Sequence, residues 1–161
     1  MFNARNILGL ALLLALVASK PGWAQTTPDP ELREALRTAA NAADSFEDRF
    51  DAEVWLTDMS RRLERQVPDP EERMRILTRV HYESARAGIE PELVLAVIEV
   101  ESNFDPYAIS VAGALGLMQV MPFWKDVYGK PNDDLYNPLT SLRYGCTILR
   151  HYMDRYSDPY D

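Results

Sequence analysis

PELVLAVIEVE, residues 91–101, opens on a proline and then runs through Leu93, Val94, Leu95, Ala96, Val97, Ile98 and Val100 before closing on Glu101. Proline at the first helical position has its φ already set for a helix. Apolar residues on nearly every side predict a helix buried on most of its faces. The acid at its end is the feature to explain. Ionising Glu101 against such a helix is unfavourable, and desolvation raises a carboxyl pKa above its ordinary value of about 4.3. A glutamic acid held protonated near neutral pH is what general-acid chemistry needs. The plainer reading is a helix-end acid facing solvent and accepting backbone hydrogen bonds, and such acids are the commoner kind. Glu99 lies two residues back, about 200° round the helix, and points away.

Upstream of this helix, Asp69-Pro70-Glu71-Glu72 places an N-cap, a proline at the first helical position and an acid at the third. Ile76, Val80, Ser84 and Ala87 then hold one face, and Gly88-Ile89 fits a left-handed C-cap with its hydrophobic follow-on contact. Residues 31–65 read as helix in at least one piece. Asp44 with Glu47 forms a capping-box pattern, and Ala52, Leu56, Met59 and Leu63, widened by Trp55, make one apolar stripe. The Val67-Pro68-Asp69-Pro70 break separates the two stretches. Downstream, Leu117 to Met121 reads as a short helix stopped by Pro122. The last helix has Asn137 as N-cap, Pro138 at its first position, and Leu139, Leu142, Cys146, Leu149 and Met153 on one face. No window shows the period-two alternation of strands, so the expected fold class is all-α, a multi-helix bundle.

The first 24 residues carry Arg5, an apolar run from Ile7 to Ala18 interrupted only by Gly9, and Gly22-Trp23-Ala24 with small residues at −3 and −1. That is the layout of a secretory signal peptide, and the run is well short of the roughly 20 residues that span a bilayer. The expected organisation is a signal peptide at 1–24, a helical segment at 25–69 and a catalytic domain at 70–161, exported to the periplasm or cell envelope. Removing the leader takes away Arg5 and Lys20 and no acid, so the net charge moves from −8 to −10. So acidic a chain is repelled by nucleic acid and by anionic membranes. Cys146 is the single cysteine and cannot form an internal disulfide; it reads as a small buried hydrophobe. With His81 and His151 the only imidazoles, no His-based metal site is expected.

The residues that follow Glu101 sharpen the reading. Glu101-Ser102-Asn103-Phe104-Asp105-Pro106-Tyr107-Ala108-Ile109-Ser110, followed by Gly113-Ala114-Leu115-Gly116-Leu117-Met118-Gln119, resembles the lytic transglycosylase family of the SLT type, which has a lysozyme-like fold. Asn137-Pro138 with Gly145 resembles its next element. The likeness is specific over 91–125, weaker over 126–155, and does not reach 25–69. It implies no cofactor and a substrate of peptidoglycan glycan strands. One glutamate, here Glu101, protonates the oxygen joining N-acetylmuramic acid to N-acetylglucosamine and then deprotonates the muramoyl C6 hydroxyl, giving a 1,6-anhydro end. Ser110 and Gln119 match positions near the sugar. On local chemistry Gly113 and Gly116 permit sharp turns, and Asp105-Pro106 favours a chain reversal. Ser102, Ser110 and Gln119 are then expected on a groove lined by Met118, Phe104 and Tyr107, with Ser102, Ser110, Met118 and Gln119 as the substrate-binding set.

The chain departs from the family in one respect. The third motif, Ala-Tyr-Asn-x-Gly, has no counterpart before Asp161, and Tyr156 is no substitute. The expectation is a domain with part of its core uncovered. Two other readings stand beside the transglycosylase: a hydrolase of the goose-type lysozyme kind, and a non-catalytic wall-binding protein.

Overall fold

A computed structural model describes residues 48–156 continuously, together with Pro30, Leu32, Glu34, Ala35, Ala39, Ser45 and Phe46. Five helices follow one another: α1 (Arg49–Leu63), α2 (Pro70–Ala87), α3 (Pro91–Ser102), α4 (Trp124–Tyr128) and α5 (Pro138–Tyr156). The described residues around 30–39 are also helical. The leader at 1–24, and the Asp44 and Glu47 capping pair, lie outside the described residues. The cap of α1 is instead Asp48, whose carboxylate accepts the Asp51 N–H at 2.9 Å. The described residues contain no strand, only two isolated bridges, Ile109 with Leu115 and Leu115 with Val120. The fold is all-α, as expected.

The locally encoded ends form as read. Asp69 accepts the Glu71 N–H with Pro70 behind it. Gly88 takes a left-handed φ of 66°, its N–H reaching Ala85 O and that of Ile89 reaching Ser84 O, which closes the α2 C-terminus in the Schellman pattern. Asn137 Oδ1 accepts the Leu139 N–H at 2.9 Å to start α5. The Pro-rich break is held by a buried side chain: Arg73 donates to Ser60 Oγ (2.9 Å), Val67 O (2.5 Å) and Pro68 O (3.1 Å).

The centre of the bundle is α2, which packs on α1, α3 and α5 and buries Met74, Ile76, Leu77 and Val80. The expectation that α3 is buried on most sides is corrected. It buries Val94, Leu95 and Ile98, while Leu93 and Val100 are exposed, Val100 to 85%. An all-round apolar helix is fully covered only if neighbours surround it, and among the described helices α3 packs mainly on α2. A second correction concerns Leu117–Met121, which is no helix. Gly116–Gln119 form a hairpin loop closed by Leu115 and Val120, each donating its N–H to the other's carbonyl at 3.0 Å. The positive φ values of Gly116 (73°) and Gln119 (46°) are incompatible with a continuing right-handed helix.

Cys146 is wholly buried in α5. Burial, with Glu83 nearby, pushes its thiol up to about 12, so it stays protonated and inert.

An aromatic cluster joins the chain before α1 to α1 and α2. The Phe46 ring stacks on His81 at 3.5 Å, Trp55 meets the same imidazole edge-on at 5.1 Å, and Ser45 Oγ lies 2.8 Å from His81 Nδ1. Trp55 donates from its indole to Glu92 at 2.7 Å. Burial holds the His81 pKa below its ordinary 6.5, partly opposed by the Glu92 charge. The folded chain therefore binds this proton less readily than the unfolded chain. The stabilisation is complete above pH ~6.5 and declines as pH falls toward the folded-state value. The melting temperature should drop between pH 7 and pH 5 in the wild type and drop less in His81→Phe. Parallel melting curves for the two proteins would sink this reading.

Candidate active site

The C-terminus of α3 is where the chain leaves right-handed geometry. Asn103 (φ 48°) and Phe104 (φ 65°) are both left-handed, a conformation uncommon for side chains with a Cβ. Two such residues in succession reverse the chain immediately after Glu101 and Ser102. Phe104 drops into the core, which ties the reversal to buried apolar area. Asp105 then accepts the Tyr107 N–H at 2.9 Å, so this acid is engaged in its own turn.

Glu101 itself is exposed, so the described neighbours do not supply the burial expected from the sequence. The helix end projects it into the open, because the face of α3 that carries it has no covering helix among the described residues. Glu99 points elsewhere, taking a 3.4 Å hydrogen bond from Gln66 Nε2.

The other expected site residues are arranged round the loop that follows. Ser102 Oγ lies 2.8 Å from Leu117 O and 3.1 Å from Ile98 O, sharing its one proton between them with the shorter contact to Leu117, and so joins the helix end to the Gly116–Gln119 loop. Ser110 closes a small loop with Gly113 (φ 86°): its Oγ accepts the Ala114 N–H at 3.0 Å, and its own N–H reaches Ala114 O. Gln119 donates through Nε2 to Ala108 O (3.2 Å) and Gly116 O (3.0 Å). Its amide orientation is set by these bonds, and Oε1 is left as the acceptor. Met118 is in the core at 8% exposure, seated over Gly145 of α5, where a Cβ would run into its Cβ and sulfur. A glycine inside a helix costs about 1 kcal/mol relative to alanine; here it makes the room that Met118 occupies. Of the expected groove lining, Phe104 and Met118 therefore lie beneath the surface, and only Tyr107 is exposed.

Two residues outside the expected set take part in this packing. Ser141, fully buried on α5, accepts the Met118 N–H at 3.1 Å. A Cβ on Gly116 would drive into the Leu135 carbonyl oxygen, so the loop sits directly on backbone. Neither contact has a sequence signal, since each joins segments about twenty residues apart. A cavity of 1130 Å³ is lined by Met74, Thr78, Tyr82, Tyr107 and Tyr136 among others and does not include Glu101. It shares only the Pro106–Tyr107 turn with the region just described. The positive-φ residues Asn103, Phe104 and Gln119 gather instead round the α3 terminus, which makes that end of the helix the candidate site.

The described residues thus form a helical bundle in which an exposed Glu101 ends a helix beside a Gly-Leu-Met-Gln hairpin loop. The chain belongs to the Transglycosylase SLT domain family, which matches residues 79–161. Among curated relatives, it is similar to the membrane-bound lytic murein transglycosylase C of Glaesserella parasuis serovar 5, at 44% identity over 98 residues, covering 53% of this chain and 27% of the relative. The protein of the same name from Histophilus somni is 38% identical over 93 residues, covering 52% and 26%. A transglycosylase of Enterobacteria phage PRD1 is 39% identical over 75 residues, covering 47% and 28%. The chain thus spans roughly a quarter of the length of these relatives. No solved structure matches it.

Proposed function

We propose that this protein is a peptidoglycan lytic transglycosylase that cleaves the β-1,4 bond between N-acetylmuramic acid and N-acetylglucosamine, with Glu101 as acid and then base. The observation that carries the reading is the isolation of this carboxylate. Asp105 accepts the Tyr107 N–H and Glu99 is bonded to Gln66, so among the described residues neither of the acids nearest to Glu101 in sequence is offered as a second catalytic carboxylate. Two-carboxylate glycosidases need that second group, whereas substrate-assisted enzymes do without it. A glycan strand laid over the α3 terminus brings its glycosidic oxygen to the Glu101 carboxyl. The acid then passes its proton to the glycosidic oxygen as the C1–O bond breaks, and the substrate's own 2-acetamido group stabilises the cationic C1. The resulting carboxylate takes the C6 hydroxyl proton while O6 bonds to C1. Glu101 is thereby returned to its starting state, and no water is consumed.

Ser110 and Gln119 are the saccharide contacts in this scheme, Gln119 through the acceptor Oε1. Ser102 and Met118 act from behind the surface, shaping the loop that presents Gln119. The organisation that accompanies it is a signal peptide at 1–24, a helical segment at 25–69 and the catalytic domain at 70–161. Delivery to the cell envelope agrees with relatives named membrane-bound.

Mass spectrometry of muropeptides released from purified sacculi tests the reading. The expected products end in 1,6-anhydromuramic acid and are lighter by one water than hydrolysis products. Reducing ends would identify a hydrolase of the goose-type kind, and binding without release would identify a wall-binding protein.

A further inference from the structure

The Gly116–Gln119 loop is held in an unusual way. Its closing hydrogen bond runs from the Gln119 N–H to Gly116 O at 3.1 Å, which makes the Leu117–Met118 peptide the central unit of the turn. In such a turn the central carbonyl and N–H project to either side and have no partner within the turn itself. Here both are taken, by side chains from two different helices. Ser102 Oγ of α3 donates to Leu117 O at 2.8 Å, and Ser141 Oγ of α5 accepts the Met118 N–H at 3.1 Å. The two hydroxyls therefore grip opposite edges of one peptide plane.

We propose that Ser102 and Ser141 form a clamp on the Leu117–Met118 peptide, and that Ser141 is a positioning residue for the saccharide contact Gln119. The inference rests on the reading of Glu101 and Gln119 given above. A rotation of the central peptide is the motion that interconverts turn types, and it changes the backbone of the residues on either side. Gln119 follows directly, already at a positive φ of 46°, with its amide tied back to Gly116 O and Ala108 O. Rotating the plane would break both serine contacts and change ψ of Leu117 and φ of Met118, so that Gln119, the next residue, loses the fixed backbone from which Oε1 is aimed. Ser102 is also the neighbour of Glu101, so the same hydroxyl that grips the loop fixes the distance between acid and saccharide contact. The site of each serine suits this use. Ser141 is wholly buried, where a polar group is retained only with a partner, and Met118 is locked in register by its seat over Gly145.

The test is a double-mutant cycle of Ser102→Ala and Ser141→Ala, with Leu56→Val as a destabilised control in α1. Activity on sacculi is read together with the affinity of the same variants, in a Glu101→Gln background, for soluble peptide-free glycan strands. All measurements are made well below every melting temperature. Each single substitution is expected to weaken kcat/KM and glycan affinity on the order of 10-fold. The double variant should lose less than the product of the two, because one peptide plane is released once. Leu56→Val should leave both readouts unchanged. Met118 amide exchange by NMR, expected to accelerate in Ser141→Ala, reports the clamp independently of activity. If the wild type releases no products yet Met118 exchange accelerates in Ser141→Ala, the transglycosylase reading fails and the clamp stands. Unchanged Met118 protection, or unchanged glycan affinity and kcat/KM in both single variants, overturns the clamp.

Discussion

Glu101→Gln is expected to abolish release of anhydro-muropeptides, lowering the rate on the order of 10²- to 10⁴-fold, the usual worth of a positioned general acid or base. The amide matches the carboxyl in shape but can neither give nor take the proton. Because Glu101 is exposed and none of the hydrogen bonds or ion pairs described above involves it, the substitution should leave the melting temperature and helical circular dichroism close to wild type. The same variant should still bind glycan strands. Retention of wild-type release on purified sacculi would remove Glu101 from the mechanism. A large fall in melting temperature would instead give it a structural role that the coordinates do not suggest.

The second large effect is on stability and lies away from the site. Glu83 of α2 has no solvent exposure and is bonded by three arginines: Arg79 at 2.6 Å, Arg86 at 2.5 Å and Arg143 of α5 at 2.8 Å. Arg86 reaches further, to Thr147 Oγ1 at 2.8 Å, so the group fastens α2 to α5. Glu83→Gln would keep the shape and remove the charge that three cations share. Breaking a buried pair from one side costs about 3–5 kcal/mol. The arginine side chains are 28–46% exposed and partly screened by water, so about 3 kcal/mol is expected here. Urea unfolding of the two proteins at the same pH measures it. A loss under ~1 kcal/mol would mean that the arginines find equivalent partners in solvent and that α2 and α5 hold together by apolar packing alone.

This pairing also explains why α2, and not α3, is the centre of the bundle. By composition α3 is the more apolar helix, and α2 carries four arginines and three glutamates along its length, so sequence alone favours the wrong one. Arg73 and Glu83 are nevertheless buried, because each has found partners, Arg73 on Ser60 and the Val67–Pro68 carbonyls and Glu83 on the arginines. Burial of a charge depends on groups brought in from other elements.

What the sequence by itself determined was whatever depends on neighbours along the chain. Asp69 with Pro70, Gly88 with Ile89, and Asn137 with Pro138 set helix ends through hydrogen bonds spanning a few residues, and the Ala52, Leu56, Met59, Leu63 stripe follows from helical period alone. The Glu101 position and the Gly-Leu-Met-Gln motif were legible in the same way, as a contiguous pattern, but not the conformation of that motif. Only the tertiary structure decided that α3 leaves Val100 in the open, that Leu117–Met121 is a loop, and that Met118 lies in the core. It alone brought Ser102 and Ser141 to the two edges of one peptide. Those outcomes turn on which segments meet across long stretches of chain. The Gly116 loop loses helical hydrogen bonds and regains them from hydroxyls on two helices, an exchange that no window of sequence around it contains.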